Sequence, residues 1–96
     1  MSDNFKNEYN DDFFDAVLKL QNIDECYRFF GDVCTPKEIA TMVQRYSVAK
    51  MLRENKVYNE IVEKTGASTA TVSRVKRSLS TDSYGGYDIV FGRKKK

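Results

Sequence analysis

Histidine is absent from these 96 residues. Without imidazole there is no His-based acid–base step and no Ser–His or Cys–His nucleophile pair, and the commonest zinc ligand is missing. Only two cysteines occur, Cys26 and Cys34. They lack C-x-x-C spacing and any histidine partner, so neither a metal site nor a cofactor is expected. Their spacing leaves a disulfide open, though two half-buried thiols in a cytosolic chain is the simpler reading. No apolar run approaches the roughly 20 residues of a membrane span. The acidic, polar opening is unlike a secretory signal. The expectation is a cytoplasmic protein with no membrane partner and no enzymatic activity.

Charge is present and unevenly placed. The net charge is +2. Residues 1–34 hold three basic and eight acidic side chains, whereas residues 35–96 hold thirteen basic and six acidic. An acidic front suits a scaffold, and a basic back suits an anionic partner, of which nucleic acid is the commonest large one. The length fits one small domain with a modest core, which leaves oligomerisation open as a source of stability.

The pattern along the chain is helical throughout. Residues 1–9 read as a disordered N-terminus, 10–88 as one domain and 89–96 as a flexible basic tail. A first helix is expected from about Asn10 to Leu20, with Phe13, Phe14, Val17 and Leu18 on one face. Asn22 and Glu25 form a cap signal for a second short helix carrying Phe29 and Phe30, with Gly31 as its stop. Four phenylalanines are too many for two short helices to hide alone. The only proline, Pro36, belongs to the clearest start signal, Thr35-Pro36-Lys37-Glu38. Thr35 caps, Pro36 takes the position where a missing N–H costs nothing, and Glu38 closes the capping box. A long helix follows to about Arg53, with Ile39, Met42, Val43, Tyr46, Ala49 and Leu52 at helical spacing. Asn55 offers an exit.

Two short helices then flank a tight turn. Tyr58 to Thr65 is the first, with Ile61 and Val62 inward. Gly66 sits where a left-handed conformation is needed. Ser68 caps the second, Thr69 to about Leu79, whose inward stripe is Val72, Val75 and Leu79. This is the helix-turn-helix pattern. The outer face of the second helix must be small and polar near its start to enter a major groove about 12 Å wide. Residues 66–81 also contain no acid. Thr69, Ala70 and Thr71 suit base edges and thymine methyls, with Ser73 on the same polar run. Arg74 suits a guanine or a phosphate. Ser68, Lys76 and Arg77 suit phosphates. Lys56, Tyr58 and Asn59 lie at the start of the first helix, which crosses the DNA backbone in such motifs. Beyond Ser80, the run Tyr84-Gly-Gly-Tyr87 reads equally as an ordered tail or a loose exit.

Several of these stretches carry a family likeness. Thr35-Pro36-Lys37-Glu38, Gln44-Arg45, Glu60-Ile61 and the run Gly66-Ala-Ser-Thr-Ala-Thr-Val-Ser-Arg74 resemble the Trp repressor superfamily. The likeness is to its Trp-repressor-like branch, of the YerC/YecD type, and it covers about residues 13–87. It implies an all-α fold: a small helical domain with a helix-turn-helix, forming an intertwined homodimer. The first helices and long helices would interlock while two reading heads project. The resemblance also implies an effector pocket. In the repressor it uses a threonine before the proline, an arginine on the long helix, and an arginine followed by glycine on the reading helix. Here Thr35 and Arg74 match. Arg45 matches after a one-residue deletion, and otherwise Gln44 takes its place. Val75 stands where the glycine would be, so the expected effector is an unknown small molecule other than tryptophan, or none.

The leading expectation is a sequence-specific transcriptional regulator, a repressor, that binds double-stranded DNA as a homodimer through helix 69–79. The alternative is a helical protein-interaction module with incidental DNA affinity.

Overall fold

The computed structural model describes residues 5–80 and 83–92, and every regular element among them is a helix. In chain order these are α1 (Glu8–Val17), α2 (Ile23–Val33), α3 (Pro36–Arg53), α4 (Tyr58–Thr65), α5 (Thr69–Ser78) and α6 (Gly86–Phe91). The chain divides into two compact units, one ending at Ile39 and the other beginning at Ala40.

The first unit holds α1, α2 and the start of α3. Asn7 caps α1 by accepting from the N–H of Asn10 at 2.8 Å. The helix therefore begins two residues before the expected Asn10, inside the stretch read as disordered. Asn22 caps α2 by accepting from the N–H of Glu25, whose carboxylate accepts in return from the N–H of Gln21. Gly31 does not end α2, which continues to Val33. A helical glycine costs about 1 kcal/mol relative to alanine but stops a helix only where it turns left-handed. Here the exit is set downstream: Cys34 is extended (φ −113°, ψ 153°), and Pro36 disfavours a helical Thr35. Phe13 packs on Phe14 and Phe29, and Phe29 on Phe30, with ring centroids 5.4 to 5.9 Å apart. Even so, no side chain from residue 5 to 39 is buried.

The capping box of α3 forms as its sequence dictates. Glu38 N–H donates to Thr35 Oγ1 at 3.1 Å, and Thr35 N–H donates to the Glu38 carboxylate at 2.8 Å. Satisfying two otherwise orphaned donors in this way holds the helix start. At the other end Asn55 turns left-handed with φ 61°.

Among the described residues, every buried side chain lies in the second unit. Val48 and Ala49 of α3, Ile61 of α4, Ala67 of the turn, and Val72 and Val75 of α5 are buried together. Met51, Leu52, Val62, Leu79, Tyr87 and Phe91 pack around them. Burying each valine or isoleucine contributes roughly 1.5–3 kcal/mol. The inward pair on α5 is as expected, and so are Ala49 and Leu52 on α3, but there Val48 joins the core in place of Met42, Val43 and Tyr46. Met42, Val43 and Tyr46 stay exposed.

The last helix, α6, carries helical structure through residues 89–91, where a flexible tail is expected from sequence. Gly85 takes a left-handed conformation (φ 79°) at its start. Arg53 fixes its far end with a 2.8 Å ion pair to Asp88 and a 2.6 Å hydrogen bond to the carbonyl of Gly92. Phe91 packs beneath the Arg53 guanidinium and against Tyr46 and Tyr87. The basic run 93–96 lies outside the described residues.

Candidate nucleic-acid interface

The turn between α4 and α5 is built from its sequence. Gly66 adopts φ 70°, ψ 10°, and its N–H donates to the carbonyl of Val62 at 2.9 Å. An L side chain in that conformation costs on the order of 1–2 kcal/mol, which glycine avoids. Thr65 Oγ1 donates to the carbonyl of Ile61 and accepts from the N–H of Ala67. Ala67 is buried in the angle of the two helices, so the turn admits only a small side chain there. Ser68 then caps α5 by accepting from the N–H of Thr71 at 3.1 Å.

These constraints fix which way α5 points. Val72 and Val75 are drawn into the core, so positions 69, 70, 73, 74, 76 and 77 are left outward. Thr69, Ala70, Ser73, Arg74, Lys76 and Arg77 are all exposed. Thr71 is half-buried, and its hydroxyl accepts a hydrogen bond from Ser68 Oγ. Among the described residues, none of Arg74, Lys76 and Arg77 pairs with an acid. The surface is thus small and polar at the helix start and cationic further along.

The start of α4 adds a second feature. Lys56, Tyr58 and Asn59 are exposed there. Val57 occupies the N-cap and supplies no side-chain hydrogen bond. The first-turn N–H groups thus carry the partial positive charge of a helix N-terminus, which suits an anion such as phosphate. All eleven residues read from sequence as DNA-facing lie on α4, α5 or the segments that start them.

The residues read as an effector pocket are placed differently. Thr35 is engaged in the α3 capping box. Gln44 Nε2 donates to the carbonyl of Thr65 at 3.0 Å, which ties α3 to the turn. Arg45 is exposed. Arg74 instead lines a cavity of about 810 Å³ with Arg77, Ser78, Tyr46, Tyr84 and Tyr87. Val75 is 2% exposed and belongs to the core. Sequence reasoning missed Arg53, whose ion pair and aromatic contact hold α6; a charge at the end of a helix gives no hint of a partner 35 residues away. Among the described residues no group of three or more potential ligands stands where it could hold a metal ion. Among the described residues no helix is long and apolar enough to cross a membrane.

The model of the Trp repressor protein family matches residues 8–95. The chain belongs to the Trp repressor family. It is 50% identical over 78 residues to YerC, an uncharacterized protein of Bacillus subtilis strain 168, covering 81% of this chain and 75% of that one. A crystal structure of a TrpR-like protein from Eubacterium eligens matches with a TM-score of 0.88 and 52% identity, covering 96% of this chain and 94% of that one. A candidate Trp repressor from Staphylococcus aureus matches with a TM-score of 0.87 and 44% identity, covering 94% and 89%. The Trp repressor family is one of helical DNA-binding regulators, and the helix-turn-helix lies within the matched span.

Proposed function

We propose that the chain is a sequence-specific transcriptional repressor that binds DNA as a homodimer, with α5 in the major groove. The observation that carries this reading is the outer face of α5. Thr69, Ala70 and Ser73 are exposed and small, and Arg74, Lys76 and Arg77 follow with no acidic partner among the described residues. Small groups at the helix start let the backbone approach base edges, and the cations further along reach phosphates. Arg74 either forks onto a guanine or clamps a phosphate. The N-terminus of α4, with Lys56, Tyr58 and Asn59, holds the neighbouring backbone.

Dimerisation is supported by the lack of any buried side chain among the described residues of the first unit. Leu18, Ile23 and Tyr27 are each at least 75% exposed. Met42 and Val43 of α3 and Ile89 of α6 are exposed as well. Apolar surface on this scale marks an interface. A twofold pair would set two reading helices about 34 Å apart, on successive major grooves.

Selection of binding sites from random duplex tests the reading. A repressor of this kind enriches a palindromic site with half-sites about one helical turn apart. Failure to enrich any sequence favours the protein-interaction alternative.

A further inference from the structure

The cavity lined by Tyr46, Arg74 and Arg77 contains chemistry that DNA binding alone does not use. Arg74 and Arg77 are three apart on α5 and so share a face. No acidic side chain among the described residues lines the cavity. Two guanidiniums side by side repel each other, and a single dianion with several oxygens satisfies both better than a monoanionic carboxylate. Ser83 is in the lining too. Its Oγ accepts from the N–H of Gly85 at 3.2 Å, which leaves its proton to donate to an incoming oxygen. Ser78 and Ser80 spend theirs on the carbonyls of Arg74 and Arg77.

Much of the remaining lining is aromatic: Tyr46, Tyr84 and Tyr87. Tyr87 is stacked on Phe91 with an interplanar angle of 6°, and Tyr46 rests on the same ring at 5.4 Å between centroids. Arg53 in turn pins the helix that carries Phe91. Those two tyrosines are therefore fixed platforms, while Tyr84, also in the lining, is 54% exposed. The volume of about 810 Å³ lies within the usual range for small-molecule sites. Neither Val75 nor Thr35, Gln44 or Arg45 lines the cavity.

We propose that this cavity binds a small organic phosphate bearing a planar ring, of the nucleoside monophosphate class, and that its occupant competes with DNA for Arg74 and Arg77. The competitive half rests on the assignment of α5 as the DNA-reading helix. The phosphate sits between the two guanidiniums and the Ser83 hydroxyl, and the ring lies against the tyrosines. Because ligand and DNA phosphates call on the same cations, each lowers the affinity of the other by the same factor. The ligand releases DNA, the opposite sign from a corepressor.

The test uses the full chain and two readouts. Calorimetry without DNA measures the four ribonucleoside 5′-monophosphates, with adenosine and ribose 5-phosphate as the two halves of a ligand. At least one monophosphate is expected to saturate with Kd below about 1 mM and to bind about tenfold or more tighter than either half. Tyr84→Ala and Arg77→Gln should each weaken it about tenfold or more. Anisotropy with labelled duplex should then show DNA displaced by that nucleotide. The Tyr84→Ala protein should bind DNA as the wild type does and resist displacement. The proposal is overturned if no monophosphate saturates by about 5 mM, if both variants bind it unchanged, or if the nucleotide leaves DNA affinity unchanged or raises it. It is also overturned if Tyr84→Ala halves the protein's mass in solution without touching nucleotide binding, which assigns the cavity to a second copy. A chain that binds no duplex at all fails the DNA reading and the competitive half together. One that binds duplex but no nucleotide fails the cavity alone.

Discussion

Replacing Gly66 separates two ways in which the turn between α4 and α5 could depend on it. A Cβ added at this position would meet no atom within 4 Å, so a side chain has room. The cost of substitution is therefore torsional and comes from φ 70°. An alanine there costs about 1–2 kcal/mol in the left-handed region, less about 0.4–1 kcal/mol regained by stiffening the unfolded chain. The net loss is roughly 0–1.6 kcal/mol, centred near 0.8 kcal/mol. Asparagine tolerates this conformation and should lose only a few tenths, about 0.3 kcal/mol. Valine, branched at Cβ, should lose about 2 kcal/mol or more, because it must either hold an outlier conformation or undo the turn. At 4–8 °C per kcal/mol for a domain of about 100 residues, the melting temperatures should fall in the order Asn, Ala, Val, with valine about 10 °C below wild type. Thermal melts must be run at one protein concentration, since oligomerisation shifts Tm. Circular dichroism at about 20 °C should still show α3, whose capping box is independent. A valine variant that melts with the wild type refutes the torsional argument. So does an asparagine variant that falls as far as valine.

Other outcomes follow from the same structure. Light scattering at micromolar concentration should give about twice the 11.1 kDa chain mass; a monomer mass would leave the exposed apolar surface of residues 5–39 unexplained. Arg74→Ala should weaken specific DNA binding by roughly 1–3 kcal/mol, and Lys76→Ala should weaken binding to every sequence alike, both read by anisotropy with the fold checked by circular dichroism. L-tryptophan should give no saturable heat at millimolar concentration, because the resemblance sets Val75 where the repressor has the glycine beside its indole, and Val75 is packed in the core with no freedom to swing aside. Micromolar binding that also tightened DNA affinity would show that the slot is open.

Much of the helical pattern was legible from local signals. The caps at Thr35 and Ser68, the left-handed Gly66 and the inward pair Val72 and Val75 are each set within four residues, so the sequence alone dictates them. The α3 core was less legible because this helix is apolar on more than one side. Val48 and Ala49 serve the core of the chain itself, while Met42, Val43 and Tyr46 are left outward, and periodicity cannot tell one apolar face from another. The last helix was illegible for the converse reason. Six residues starting with Gly86 form no helix on their own strength. What holds α6 is Arg53 from α3 and the packing of Phe91, contacts with no trace in the local sequence. Gly31 misled because a glycine signals a helix end only through its conformation, and here the stop was written instead in Pro36. In the candidate interface the outward residues of α5 could be read because two buried valines fix the helix rotation. The cavity could not be foreseen, since it joins Tyr46 of α3 to the segment after α5.

The central claim is that the cations of α5 meet DNA phosphates. The most direct measurement is the affinity of the wild-type protein for a selected duplex between about 50 and 200 mM salt. With about three phosphate contacts per subunit, six in a dimer, log K should fall against log salt with a slope near −5. Arg77→Ala, which removes one cation from each subunit, should flatten it by about 2. A wild-type affinity that does not change with salt, or a slope the Arg77 variant leaves untouched, would contradict the account.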